Sequence, residues 1–174
     1  MIDEVLKSFG EGDYLLLQNE INELPYIIDQ AYKKKMKIVL NPSPFDDYLR
    51  ECDMKKISIF IMNEIEGKEL TGETKAEEIL KKVQELYPNA DVVLTLGEDG
   101  SMYKTGDEIT RQGIVKVKAV DTTAAGDTFT GYFLAGLAEG LLPKENLARC
   151  AKASAITVSR KGAAPSIPRK EELK

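Results

Sequence analysis

The chain has 174 residues, of which 43% are hydrophobic and 30% charged, a composition typical of a globular protein long enough to bury a core. Its net charge of −5 argues against nucleic-acid binding, and its lack of histidine excludes Ser-His-Asp and Cys-His catalysis and most zinc chemistry. No apolar run reaches the length of a membrane span and the acidic N-terminus lacks a signal-peptide core, so we expect a cytoplasmic protein with free cysteines at Cys52 and Cys150.

Apolar runs alternate along the chain with segments of helical period. Buried strands are predicted over residues 14–18, 38–41, 57–62 and 92–96. Helices are predicted over 22–35, 74–87, 125–140 and 143–159, and short strands over 101–105, 108–112 and 114–119. Continuous apolar strands between helices predict one α/β domain over residues 1–174, with a mostly parallel sheet covered on both faces.

The carboxyl ends of parallel strands meet at one rim of such a sheet, where ligands bind. Asn41, Asn63 and Gly97 each follow a predicted strand, and the turn 121–127 precedes a predicted helix. We therefore expect these residues to lie near the same rim.

The segment 121–127 reads DTTAAGD and opens a long apolar helix. The start of a helix leaves backbone N–H groups without partners and carries partial positive charge, which suits an anion. The Asp127 carboxylate stands beside these groups, and phosphoryl transfer needs donors for the moving phosphoryl group and an acceptor for the hydroxyl proton. A structural interpretation is equally open, because an acidic residue favours any first helical turn and Ala-Ala-Gly permits tight packing.

The segment 121–129, which reads DTTAAGDTF, closely resembles the C-terminal signature of the ribokinase/PfkB carbohydrate kinase family. The resemblance implies a Rossmann-like, three-layer α/β/α fold of ribokinase type. It also implies ATP-dependent phosphorylation of a sugar or sugar-like hydroxyl, a phosphotransferase reaction with an alcohol acceptor. In this function Asp127 accepts the hydroxyl proton and faces the substrate, and the backbone of Ala124, Ala125, Gly126 and Asp127 forms the anion hole.

Asn63 and Glu66 follow the third strand and resemble the family's Asn-x-x-Glu motif. In the family, the Asn approaches the nucleotide phosphates and the Glu orders Mg²⁺ largely through water, a mode that suits an ion that keeps several waters. Taken alone, the same residues read as a helix cap with a dipole-favoured acid. Together with the resemblance at 121–129, we favour the metal role.

The turn 95–100 resembles the family's Thr-x-Gly-x-x-Gly turn, which implies that Thr95, Gly97 and Gly100 approach the nucleotide together with Gly126. An ordinary strand-to-hairpin turn is the alternative interpretation. Cys150 falls where ribokinases often carry a polar residue near the adenine, so this nucleotide position departs from the family pattern.

The segment 157–166, which reads TVSRKGAAPS, also resembles ribokinases. From the residues alone, Gly162 and Pro165 only end a helix in a shaped loop. The resemblance implies a monovalent cation, usually potassium, beside the anion hole and held mostly by backbone carbonyls. Its ligands would be Asp121, Thr123, Thr157, Arg160, Gly162 and Ser166.

The resemblance covers only the later part of the family's sequence, and we expect the fold to be incomplete at its N-terminus. The family's Gly-Gly sugar segment and small β-sheet lid have no counterpart here. Glu20 falls where the family often has an acid that faces the sugar, whereas the sequence alone favours an acid at the start of a surface helix. We expect the sheet edge to associate, as a homo-oligomer or with another strand, and the substrate to be a sugar or nucleoside. A nucleotide-binding module without turnover and an inactive fragment are the alternatives.

Overall fold

The computed structural model describes residues 1–173, in which strands and helices alternate. The strands are β1 (Tyr14–Gln18), β2 (Lys37–Asn41), β3 (Ile59–Asn63), β4 (Asp91–Thr95), β5 (Ser101–Thr105) and β6 (Glu108–Gln112). The helices are α1 (Ile2–Leu6), α2 (Leu24–Lys33), α3 (Asp47–Arg50), α4 (Glu64–Thr71), α5 (Ala76–Leu86), α6 (Ala125–Ala138) and α7 (Pro143–Val158). No helix in residues 1–173 is long and apolar enough to cross a membrane.

The strands are ordered in the sheet as they are in the chain, from β1 to β6. β1 and β2 pair in parallel, with Tyr14 opposite Lys37 and Gln18 opposite Asn41, and β2 and β3 are also parallel. β2, β3 and β4 each bury at least three successive residues, as expected of strands covered on both faces. β1 alternates instead and lies at an edge of the sheet.

The chain divides into two compact units. The first contains Met1–Leu94 with Lys104–Glu108, and the second contains Thr95–Tyr103 with the described residues from Ile109 onward. The single domain that we expect over residues 1–174 stays a prediction.

The first unit is built around the apolar strands β2 to β4 and the buried faces of α2 and α5. Leu24 and Ile28 of α2 are four residues apart and both buried, and Ile79, Leu80 and Val83 form the matching face of α5. This spacing places the side chains on one side of each helix and leaves charged residues on the other.

The second unit is built on the packing of α6 against α7. The buried Phe133 of α6 stacks with Phe129 at 6.3 Å between ring centroids and meets Tyr103 edge-on at 5.0 Å. Gly136 lets the helices approach closely, because a Cβ there would collide with the side chain of Asn146. Asn146 is fully buried and donates from Nδ2 to the Phe133 carbonyl at 2.9 Å, which fixes the crossing.

The prediction of a strand at 114–119 is wrong. Residues 113–120 have no regular structure and are exposed, with Val117 45% and Val120 51% accessible. The sheet ends at β6, so the alternating Val and Lys side chains of this segment have no neighbouring strand on which to pack. The predicted strand at 57–62 starts instead at Ile59, because Ile57 ends a short 3-10 helix, Met54–Lys56.

Candidate functional site

The turn before α6 has a left-handed residue at its centre. Ala124 is the N-cap of α6 and has φ 63° and ψ 10°, a region that residues with a Cβ adopt at a cost of roughly 1–2 kcal/mol. The Ala125 N–H donates to the Thr122 carbonyl at 3.3 Å, and the Thr128 N–H donates to the Ala124 carbonyl at 2.9 Å. Strain of this kind persists only where the surrounding structure holds it.

Two amides of this turn remain open to a ligand. In residues 1–173, no hydrogen-bond acceptor satisfies the N–H groups of Gly126 and Asp127, which belong to the first turn of the 14-residue helix α6. Both residues are exposed, and a Cβ built on Gly126 meets no described heavy atom within 4 Å. The site therefore combines two amide donors, the positive end of a helix and the exposed Asp127 carboxylate. The Ala125 amide, also predicted as a donor, is already bonded within the turn.

Asp121 holds the beginning of this turn against the loop after α7. Its Oδ1 accepts the Thr123 N–H at 3.0 Å and its Oδ2 accepts the Gly162 N–H at 3.0 Å. The Thr123 hydroxyl, the Gly162 amide and the Thr123 amide, in that order, lower the pKa of Asp121 to about 2. This carboxylate is an internal clamp between two loop segments that lie 41 residues apart.

The remaining residues of the predicted monovalent-cation site lie around the same loop. Thr157 is fully buried and its carbonyl accepts the Arg160 N–H at 3.1 Å, while the Arg160 guanidinium pairs with Glu172 at 2.6 Å. Ser166 is buried and donates from Oγ to the Ala163 carbonyl at 2.6 Å. In residues 1–173 no three His, Cys, Asp or Glu side chains gather to hold a metal ion. A cation at this loop would depend on backbone carbonyls and the Asp121 carboxylate.

The glycines of the turn 95–100 have the conformations that the turn requires. Gly97 has φ 53° and is exposed with open space around it, and Gly100 has φ 93°. A Cβ on Gly100 would collide with the Gln112 carbonyl, so only glycine lets the backbone pass there. The turn is closed by the Leu96 N–H, which donates to the Gly100 carbonyl at 2.8 Å after the partly exposed Thr95.

In the first unit, Asn63 and Glu66 form a complete capping box at the start of α4. Asn63 Oδ1 accepts the N–H groups of Ile65 and Glu66 at 2.9 and 3.0 Å. The Glu66 carboxylate accepts from the Asn63 backbone N–H at 2.9 Å and from its side-chain amide at 3.0 Å. The structure thus shows the capping role of these residues; it does not conflict with a water-mediated metal role, since each carboxylate oxygen keeps further lone pairs.

Glu20 and Cys150 have contrasting environments. Glu20 is exposed in the turn after β1. Cys150 is 0% exposed, and burial raises the pKa of its thiol to about 12. Its side chain therefore faces the protein interior, so contact between the thiol and a nucleotide would require a rearrangement of α7.

Two residues at this site have no signal in the sequence. The Thr128 hydroxyl lies 3.0 Å from the Thr157 hydroxyl, with both residues buried, and Ser154 Oγ donates to the Ala125 carbonyl at 3.4 Å. These contacts join residues 29 apart in the chain, and no local pattern indicates such a pairing.

A cavity of about 370 Å³ in the second unit lies elsewhere, lined by Ala148, Arg149, Lys152, Lys170 and Leu173.

The model of the pfkB family of carbohydrate kinases matches residues 15–170. The ribokinase of Lactococcus lactis is 35% identical over 98% of this chain and 56% of its own length, and that of Schizosaccharomyces pombe is 36% identical over 88% and 51%. The chain thus spans about half the length of these relatives.

Solved structures show the same fold. The ribokinase of Thermotoga maritima has a TM-score of 0.80 at 34% identity and covers 96% of this chain and 57% of its own. The ribokinase of Arabidopsis thaliana, solved with ribose and ATP, has a TM-score of 0.79 at 31% identity and covers 92% and 54%. These likenesses confirm the predicted ribokinase-like α/β fold.

Proposed function

The chain belongs to the pfkB family of carbohydrate kinases, and on this basis we propose that it transfers the γ-phosphoryl group of ATP to a hydroxyl of a sugar or sugar-like substrate. The observation that carries the proposal is the pair of open amides at Gly126 and Asp127 beside the exposed Asp127 carboxylate. The presence of ribose and ATP in the Arabidopsis ribokinase structure supports the substrate class. Because the chain spans about half the length of these ribokinases, the activity is stated as a proposal.

In the proposed reaction, the substrate hydroxyl oxygen attacks the γ-phosphorus and the bond to the bridging oxygen of ADP breaks. The Asp127 carboxylate accepts the hydroxyl proton and orients the attacking oxygen. The Gly126 and Asp127 amides donate to the oxygens of the transferring group, where negative charge gathers. The Ala124 and Ala125 backbone shapes the turn that presents these donors, and Glu20 contacts the sugar.

For the nucleotide, we propose that Thr95, Gly97 and Gly100 line one side with Gly126. Gly97 offers exposed backbone without a side chain, as close approach to a nucleotide requires. Cys150 stays a proposed position near the adenine, but its side chain is 0% exposed and would contact the nucleotide only after a rearrangement of α7.

Glu66 is the residue that would hold Mg²⁺, through water, and Asn63 would approach the nucleotide phosphates. Glu66 fits this role because its carboxylate accepts two hydrogen bonds from Asn63 in the capping box and keeps lone pairs that can accept from metal-bound water. When bound, Mg²⁺ neutralises charge on the phosphates. A monovalent cation would be held by Asp121, whose lowered pKa keeps the carboxylate charged, and by the loop carbonyls. Those carbonyls belong to the remaining residues named above: Thr123, Thr157, Arg160, Gly162 and Ser166.

A nucleotide-binding module without turnover is the second candidate. The match to the curated ribokinases quoted above covers 51–56% of their length, so turnover is a proposal for this chain, and the assay below separates it from nucleotide binding alone. We also propose association through β1, the edge strand, whose Tyr14 and Leu16 are 38% and 44% exposed. An unpaired edge with apolar side chains favours pairing with a further strand, and a second copy of the chain is the simplest partner. Sedimentation as a monomer at all concentrations would contradict this.

The test of the proposed function separates binding from turnover. Calorimetric titration with Mg-ATP measures nucleotide binding, and a coupled assay over a panel of sugars and nucleosides measures phosphorylation. Asp127→Asn should lower turnover by about 100-fold or more and leave nucleotide affinity nearly unchanged, because the general base and the nucleotide contacts are separate. Binding without turnover in the unmodified protein would support the second candidate. Equal turnover of Asp127→Asn would refute the role of Asp127.

A further inference from the structure

We propose that Thr128 is a positioning residue: its buried hydroxyl, paired with that of Thr157, sets the direction of the Gly126 and Asp127 amides. This inference rests on the proposed function, because it concerns how the amides are held for an anion. Thr128 follows Asp127 directly and lies in the same first turns of α6. It touches no reacting atom in the proposed reaction.

The geometry of the pair makes it a fixed contact. The two hydroxyl oxygens are 3.0 Å apart, and Thr128 and Thr157 are 2% and 0% exposed. Water therefore offers no replacement partner, and a buried polar group that loses its only partner carries a desolvation penalty. Rotation of the first turn of α6 about its axis would separate the hydroxyls, so the pair opposes that motion.

The last turns of α7 also hold the segment before α6. The Val158 carbonyl accepts the N–H groups of Val120 and Asp121 at 2.7 and 3.2 Å. Ser154, four residues earlier in α7, donates to the Ala125 carbonyl at 3.4 Å. α7 thus contacts the chain at Val120 and Asp121, at Ala125 and, through the hydroxyl pair, at Thr128.

The strained Ala124 explains why such support is needed. A residue with φ 63° and a Cβ tends to leave the left-handed region unless its neighbours prevent this. Among the backbone contacts outside regular elements in residues 1–173, the Ala124 carbonyl accepts a hydrogen bond only from the Thr128 N–H, at 2.9 Å. Thr128 therefore closes the strained turn with its backbone N–H and is itself anchored by its hydroxyl.

The experiment follows the Gly126 and Asp127 amides of the full chain by NMR while inorganic phosphate is added. Thr128→Val removes the hydroxyl and keeps the shape, and Thr128→Ser keeps the hydroxyl. Thr130→Val makes the same chemical change at another buried threonine of α6. We expect Thr128→Val to weaken phosphate binding at these amides by about fivefold, the effect of one hydrogen bond, and Thr128→Ser to restore most of it.

The outcomes distinguish this inference from the proposed function. If phosphate leaves the Gly126 and Asp127 signals of the unmodified protein unchanged, the anion hole of the proposed function is refuted and the positioning role falls with it. If the unmodified protein binds and Thr128→Val binds equally well, only the positioning role is refuted. A lower thermal stability of Thr128→Val with unchanged phosphate affinity, matched by Thr130→Val, would assign the hydroxyl pair to stability alone and also overturn the inference.

Discussion

Replacing Ala124 by glycine should stabilise the protein, although the change removes a methyl group and increases backbone freedom. Ala124 has φ 63° and ψ 10°, where a Cβ costs roughly 1–2 kcal/mol. Glycine relieves this cost, but its greater conformational freedom stabilises the unfolded chain by roughly 0.4–1 kcal/mol. The difference predicts a net gain of about 0.5–1 kcal/mol in the free energy of unfolding. For a chain of this length, the melting temperature should rise by roughly 1–4 °C.

The matched control is Ala135→Gly in the interior of the same helix. Ala135 is exposed and helical, so glycine there should lower the free energy of unfolding by about 1 kcal/mol. Urea unfolding followed by circular dichroism measures both variants in parallel. The two substitutions are chemically identical and should shift stability in opposite directions. If Ala124→Gly destabilises the protein as Ala135→Gly does, the left-handed turn before α6 is incorrect, and with it the exposure of the Gly126 and Asp127 amides.

Two further predictions concern the second unit. Gly136→Ala should lower the free energy of unfolding by roughly 1–3 kcal/mol, because the new Cβ collides with the buried Asn146 side chain. Gly131→Ala, in the same helix with open space, should raise it by about 1 kcal/mol, and thermal melting checks both. Asp121 has a pKa lowered to about 2 from 3.8, so its contribution to stability is complete above the unfolded pKa and is lost as the pH falls through about 2. Acid unfolding of Asp121→Asn between pH 4 and pH 2 should show a weaker pH dependence than the unmodified protein; an identical acid profile would contradict the clamp.

Much of the fold could be predicted from local pattern. The apolar run at 14–18 is β1, and the predicted strand 92–96 is β4 within one residue at each end. α6 begins at Ala125, directly after the small-residue turn that the sequence indicates. The prediction fails at 114–119, where the same alternation of Val and Lys that marks a strand belongs to an exposed segment. A strand depends on a neighbour in the sheet, and local sequence carries no information on whether that neighbour exists.

The sequence by itself determined the family, the alternation of strands and helices, and the position of the Asp127 turn, because each of these is written in contiguous residues. Tertiary structure alone decided how that turn is held. The Asp121 carboxylate meets the Gly162 amide across 41 residues, and Thr128 meets Thr157 across 29. Cys150 is buried in the protein interior. The physical reason is the same in each case: a hydrogen bond or a buried surface depends on which distant residue folding brings within 3 Å, and no periodicity encodes that distance.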